Sequence, residues 1–337
     1  MSSSRAGLPT RFEEIPTKIT VLGVGGAGIK AIDSLAKAGM EIAKLVALDS
    51  DLNALRQVKA HEIIQVGENT LRGRGSGGDI SLAQKAVDED LDKVIRTLDV
   101  CDLLITVAGL GGGMGSGGLP FLLRAIRDEY GDKAPAIISV VTIPFRYEGQ
   151  TKMKNVQSGL RETVVVSDSV VVNMNDILLE KFGEMPAQVA YSRMDNILKM
   201  AVNYMIEMLD PRDTLQRLDF PDLRGMIERS GIGFIGIGSH RSVRKAVENA
   251  IDTRLLDANP TSASGYLLYL KIPPTASLTD VIDGPRLITE KYDVERISFG
   301  ARLSPMLRTP ESLVYATGVD SPFVKDMIGD VKELLRE

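Results

Sequence analysis

The stretch Gly109-Leu110-Gly111-Gly112-Gly113-Met114-Gly115-Ser116-Gly117-Gly118 places seven glycines in ten residues. It lies between the apolar run Leu103 to Ala108 and a helical pattern from Leu119 to Tyr130. Residues without a Cβ let the backbone pass through positive φ and aim successive N–H groups at one anion, and a helix that follows adds its positive amino end. The segment therefore reads as a phosphate cradle. The plain alternative is a flexible loop, but a run held between a buried strand and a helix start is poorly placed for one.

Two more glycine segments precede it. Gly23-Val24-Gly25-Gly26-Ala27-Gly28 follows a strand-like run, opens a helical one and fits the dinucleotide pattern G-x-G-x-x-G, with Asp49 some twenty residues on. Alone, it points to NAD or FAD and to an oxidoreductase. Arg72-Gly73-Arg74-Gly75-Ser76-Gly77-Gly78-Asp79 also precedes a helical pattern. A dinucleotide needs one cradle for its pyrophosphate, whereas three suggest a triphosphate held from several sides. The P-loop pattern G-x-x-x-x-G-K-[ST] is absent.

Around these loops, apolar runs at Lys18 to Val24, Lys44 to Leu48, Leu103 to Ala108, Ala136 to Ile143 and Ser169 to Val172 read as strands. They alternate with helical patterns at Ile29 to Ala38, Ile80 to Leu98, Leu119 to Tyr130 and Thr151 to Val164. This predicts an α/β fold, a Rossmann-like parallel sheet covered on both faces, with its ligand at the carboxyl ends of the strands. A long helix over about Ala187 to Leu209 follows. Beyond Asp210-Pro211-Arg212-Asp213, strands at Ile232 to Ile237, Tyr266 to Ile272, Arg296 to Gly300 and Ser312 to Thr317, with helices near Val243 to Leu255 and Leu278 to Tyr292, predict a smaller α/β unit. The stretch Ser321 to Glu337 carries a helical apolar stripe.

A length of 337 residues suggests two domains. With 44% apolar and 25% charged residues and a net charge of -5, the composition is globular and offers no general attraction to nucleic acid or anionic membrane. No apolar segment reaches bilayer length and the start has no apolar leader, so a cytoplasmic chain without direct membrane insertion is expected. One cysteine, Cys101, and two histidines, His61 and His240, suggest neither a disulfide nor a zinc site, and Cys101 reads as a small buried residue.

Taken in order, Gly23 to Gly28, Ala47-Leu48-Asp49-Ser50-Asp51, Gly73 to Gly78, Gly111 to Gly117, Pro144-Phe145-Arg146-Tyr147-Glu148-Gly149, Asn175-Asp176 and Leu218-Asp219-Phe220-Pro221-Asp222 resemble the signature segments of the tubulin and FtsZ superfamily, over about Lys18 to Val319. The short second loop and compact length resemble its prokaryotic FtsZ branch. The resemblance implies a GTP-binding domain at 17–186 after a tail at 1–16, a central helix at 187–210, and a catalytic loop at 211–222. It further implies an activation domain at 223–319 and a terminal helix at 320–337. It implies GTP or GDP, with Mg²⁺ carried on the phosphates rather than by side chains with certainty. The nucleotide would meet Gly25, Gly26, Ala27, Gly28, Asp49, Ser50, Gly75, Gly77, Gly78, Gly109, Gly111, Gly112, Gly113, Met114, Gly115 and Ser116, the glycine loops holding its phosphates. Glu148 and Lys152 would lie by the ribose. Asn175, Tyr191 and Asp195 would read guanine, whose N1–H and N2–H₂ give a carboxylate two donors that adenine lacks. A bare Tyr/Asp pair one turn apart on a solvated helix face is the plain alternative.

The resemblance also places Asp219 and Asp222 in the nucleotide site of the next subunit, where they would position the attacking water, so that hydrolysis depends on assembly into a head-to-tail homopolymer. A helix cap at Asp222 is the ordinary explanation of that carboxylate. Division or cytoskeletal adaptor proteins are the further partners implied, although the usual ending, a disordered linker and a partner-binding peptide, is not found before Glu337. Three departures from the family pattern stand out: Met114 for threonine, Arg217 for asparagine, and Ile29-Lys30 for an asparagine pair. They imply slow hydrolysis with nucleotide binding retained, with Arg217 adding positive charge near the neighbour's γ-phosphate. The NAD-dependent oxidoreductase built on Gly23 to Gly28 and Asp49, and a structural or regulatory homologue that cleaves nothing, remain as alternatives.

Overall fold

The computed structural model describes residues 17–336 apart from Val100, Pro211, Asp213, Asp293 and Glu295; the expected tail at 1–16 and the Tyr191 side chain lie outside the described residues. Eleven strands occur among the described residues: β1 Ile19–Val24, β2 Lys44–Asp49, β3 Glu62–Gln65, β4 Leu103–Gly109, β5 Ala136–Ile143, β6 Ser169–Met174, β7 Thr214–Gln216, β8 Gly231–Ser239, β9 Gly265–Ile272, β10 Ile297–Leu303 and β11 Glu311–Thr317. The helices in the first half are α1 Gly25–Lys37, α2 Leu52–Leu55, α3 Glu68–Leu71, α4 Ile80–Glu89, α5 Leu91–Leu98, α6 Leu119–Tyr130, α7 Gln150–Val166 and α8 Asn175–Phe182. After them come α9 Ala187–Glu207, α10 Phe220–Ile227, α11 Val243–Asp252, α12 Leu278–Tyr292, α13 Pro322–Ile328 and α14 Val331–Leu334.

The strands join in one sheet, ordered β3-β2-β1-β4-β5-β6-β8-β11-β9-β10-β7. From β3 to β8 every neighbour is parallel. β11 then runs antiparallel to both β8 and β9. The two halves anticipated from the alternation are thus hydrogen-bonded through β6 and β8, in the short register Ser169↔Gly231 to Val171↔Gly233. Continuous Val/Ile/Leu strands bury both faces under helices, as parallel sheets require. α9 packs its lower half, including Ala201, Val202, Met205 and Ile206, into the cluster that spans both halves.

Several elements differ from the sequence reading. The helix expected over Ile80 to Leu98 is two, α4 and α5, parted at Asp90, whose carboxylate is taken by Gly67 N at 2.8 Å. The terminal helix is likewise two, because Gly329 adopts φ +85°. The first glycine segment is less a loop than the first turn of α1, which starts at Gly25 with φ +72° directly after Val24. Short β3, β7 and α8 carry too few periodic residues to stand out in the sequence.

Candidate functional site

A cleft of about 840 Å³ opens at the carboxyl ends of β1, β4 and β5, between α1 and the upper half of α9. Among the residues singled out from the sequence, Gly25, Gly26, Ala27, Asp49, Gly75, Gly109, Gly112, Gly113, Met114, Gly115, Glu148, Lys152, Asn175 and Asp195 line it. Gly28, Ser50, Gly77, Gly78, Gly111, Ser116, Asp219 and Asp222 do not belong to its wall.

Gly28 shows why some of these glycines serve a different purpose. A Cβ there would stand 2.2 Å from Val107 O, so the residue lets α1 lie directly on β4. Gly115 does the same for the long glycine run, where a Cβ would meet Gly109 O at 2.0 Å. That run is half helical: Met114–Gly118 form a π-helical turn continuous with α6. Ser116 shapes the turn by accepting the Gly111 N–H at its hydroxyl, 2.8 Å away. By contrast, the Cβ direction of Gly26 is open, with nothing within 4 Å. The wall is therefore backbone-rich and concave, with the amino ends of α1 and of the π-turn presented toward it.

The charged groups of the cleft divide by task. Asp49 accepts from Ser50 N at 2.7 Å and Asp51 N at 3.2 Å, so it organises its own turn, while burial pushes its carboxyl above the usual range. Asp51 caps α2 through Asn53 N and Ala54 N. Glu148 accepts from Phe145 N at 2.9 Å and from Lys152 Nζ at 2.7 Å, and the lysine holds it below the ordinary carboxylate range. Asp195 is raised by burial, with the positive charge of Lys30 acting in the opposite direction. Asn175 Oδ1 is buried with no hydrogen-bond partner among the described residues, an acceptor left for a ligand to satisfy.

Met114 lines the cleft and is also buried in the cluster that holds Val87, Leu119 and Leu122. Asp219 and Asp222 stand elsewhere. The segment that carries them is bracketed by two anchors at the amino-terminal edge of the parallel strands. Arg212 shares a groove with residues 38–42, just before β2, and Ser230 N donates to Asp168 O just before β6, at 2.9 Å. The carboxylates and the cleft are thus at opposite ends of the sheet. α10 begins at Phe220, so Asp222 is not a cap but lies inside the first turn, and Asp219 occupies the cap position without a capping side-chain bond. Arg217 pairs with Asp219 at 2.8 Å.

Other wall residues escaped the sequence reading. Ser34, Leu198, Lys199 and Val202 face the cleft from α1 and α9, and their helical spacing looked like ordinary amphipathicity. Ile29 and Lys30, neighbours in sequence, divide: Ile29 enters the core and Lys30 lines the cleft. Asn155 on α7, which bonds two of the glycine segments, had no local signal at all.

Fold and cleft together define a class, the open α/β sheets whose carboxyl-end crevice is walled by glycine turns suited to phosphorylated ligands. Residues 18–183 match the model of the Tubulin/FtsZ family, GTPase domain. Cell division protein FtsZ 1 of Pyrococcus furiosus is 34% identical over 318 residues, covering 93% of this chain and 84% of its own length. FtsZ 1 of Archaeoglobus fulgidus is 33% identical over 316 residues, covering 92% and 84%. Among solved structures, an FtsZ mutant from M. jannaschii superposes with TM-score 0.83 at 31% identity, covering 90% of this chain and 92% of its own. CetZ2 from Haloferax volcanii, a GTPgS-bound protofilament, shares the fold with TM-score 0.78 at 22% identity, covering 95% and 99%. The chain belongs to the tubulin/FtsZ family, and is a GTPase of the cytoskeletal kind.

Proposed function

We propose that this chain binds GTP in the cleft, stacks head to tail, and hydrolyses the nucleotide where two subunits meet. The observation that carries the reading is the separation of the cleft from the Asp219/Asp222 segment, at opposite ends of the sheet. Identical subunits stacked along that direction bring one subunit's carboxylates to the next one's cleft, a heterologous contact that propagates. Backbone N–H groups of Gly25 to Ala27, Gly75 and Gly112 to Gly115 grip the phosphates. Asp195 and the unpaired Asn175 Oδ1 accept from the N1–H and N2–H₂ of guanine, with Tyr191 as the stacking ring and Glu148 and Lys152 by the ribose. Solved protofilaments of CetZ2 and of the Bacillus thuringiensis TubZ support such stacking as a property of the fold.

Hydrolysis needs a water in line with the γ-phosphate, and Asp219 and Asp222 of the neighbour orient it and accept its proton. Among the described residues, no group of three or more His, Cys, Asp or Glu side chains is placed to hold a metal ion. Asp49 and Asp51 bond their own turns and Glu148 pairs with Lys152. Charge neutralisation at the phosphates is the chemistry that Mg²⁺ would supply there. Asp49 engages one carboxylate oxygen, Oδ1, with the N–H groups of Ser50 and Asp51 in its own turn.

GTP-dependent sedimentation combined with phosphate release, in wild type and Asp222→Ala, tests the proposal. Assembly with release in the wild type and assembly without release in the variant are expected. Release that does not depend on protein concentration sinks the shared site, and tighter binding of NAD than GTP sinks the nucleotide assignment. The Arg217–Asp219 pair favours a second reading, assembly with little or no hydrolysis.

A further inference from the structure

We propose that Asn155 is a positioning residue that fixes the spacing between the glycine segments 73–78 and 109–113, so that both grip one polyphosphate. This inference rests on the reading of the cleft as a GTP site. The side-chain amide of Asn155 reaches from α7 between the two segments and spends both hydrogens there: Nδ2 donates to Gly78 O at 2.8 Å and to Gly111 O at 3.0 Å. Gly78 and Gly111 have φ of +86° and +97°, conformations outside any helix or strand ladder, so no regular backbone pairing fixes these two carbonyls.

Neither glycine lines the cleft, but their near neighbours Gly75, Ser76, Gly112 and Gly113 do. The segments already touch there, since a Cβ on Gly113 would fall 2.0 Å from Ser76 Oγ. The Gly111 peptide is held on its other side as well, its N–H donating to Ser116 Oγ at 2.8 Å. Asn155 therefore sets the orientation of the peptides just behind the wall, and with it the direction of the N–H groups that face a phosphate.

The residue type matters. Two carbonyl oxygens converging on one side chain need two donors from one atom, which the amide nitrogen supplies. A carboxylate there would aim oxygen at oxygen, and alanine would leave two carbonyls unpaired. Because both hydrogen bonds of the amide nitrogen go to the segments assigned to phosphate, its removal should cost affinity in proportion to the number of phosphates and leave the base site untouched.

The test is competition of GMP, GDP and GTP against a fluorescent GDP analogue on the full chain, for wild type, Asn155→Ala, Asn155→Ser and Asn155→Asp, alongside melting temperatures. Asn155→Ala should weaken GTP about tenfold, the loss of two ordinary hydrogen bonds, GDP less, and GMP by no more than about twofold. Asn155→Asp should be worse than Asn155→Ala, and Asn155→Ser, with one donor, intermediate. If Asn155→Ala does not fold, the Asn155→Ser ordering carries the same decision at smaller amplitude. Equal losses for all three nucleotides, or unchanged GTP affinity, overturn the proposal. Wild-type protein that binds no GTP overturns the reading beneath it instead.

Discussion

Arg217 Nε lies 2.8 Å from Asp219 Oδ1, so one of the two carboxylates assigned to hydrolysis is paired with a cation two residues away on its own chain. Both side chains are about half exposed, at 43% and 57% of their surface, which keeps the attraction modest. The pair still sets where the carboxylate points. Arg217→Asn should raise assembly-dependent phosphate release by about two- to fivefold, the factor that an exposed ion pair commands. Asp219→Ala should lower it on the order of a hundredfold, as losses of groups acting on developing charge do. A slower Arg217→Asn variant would mean that the arginine assists the reaction across the interface.

Gly26 and Gly115 both line the cleft yet predict opposite phenotypes. Gly115→Ala drives a methyl to 2.0 Å from Gly109 O, backbone against backbone, and should destabilise the fold by about 3 kcal/mol, read in urea unfolding. Gly26→Ala meets no atom within 4 Å in the free chain, so it should fold normally. Its methyl occupies space proposed for phosphate, and GTP affinity should fall about tenfold, a loss of about 1.4 kcal/mol.

Asp195 offers a pH signature. Burial raises its carboxyl above the ordinary 3.8, and Lys30 draws it back. The protonated acid no longer accepts from guanine N1–H, so GTP affinity should weaken as pH falls through that raised value, at a less acidic pH than a surface aspartate would give. Lys30→Ala removes the opposing charge, raises Asp195 further, and should move the onset of weakening to still higher pH. Titrations of GTP binding for the two proteins check this, and coincident profiles would exclude Lys30 from the base site.

Glu207 and Lys271 join the central helix α9 to β9 at 3.1 Å, with both side chains less than one-fifth exposed. Tyr204 bonds Glu311 of β11 from the same helix face, and Lys271 Nζ lies 4.8 Å from the Tyr204 ring. Glu207→Ala leaves a shielded ammonium without its partner and should cost about 3 kcal/mol. The double replacement Glu207→Leu with Lys271→Met should recover to within about 1 kcal/mol of wild type. Urea denaturation of the three variants measures both effects.

Much of the first half was legible because its signals are local. Val/Ile runs bounded by glycine declare buried parallel strands, and a glycine segment between strand and helix declares a turn that needs positive φ, as at Gly25 and Gly111. The alternation fixed the order of elements, and order with handedness places the ligand crevice at the carboxyl ends. The break of Ile80 to Leu98 into α4 and α5 was hidden, because Asp90 is recruited by Gly67, twenty-three residues away in sequence.

Which glycines face the cleft and which only admit close packing was decided by tertiary contact. Gly28, the last glycine of the motif, has Val107 O beside it, as its packing role requires, whereas the open space beside Gly26, at an unspecified motif position, is seen only in the fold. Lys30, Lys199 and Asn155 acquire their places from the pairing of α1 with α9 and from the crossing of α7 behind two loops, relationships between segments that share no periodicity. The sequence alone determined the local backbone possibilities, because φ preference and apolar period act over a few residues. Only the folded chain decided the roles, because distance and burial arise between residues far apart along it.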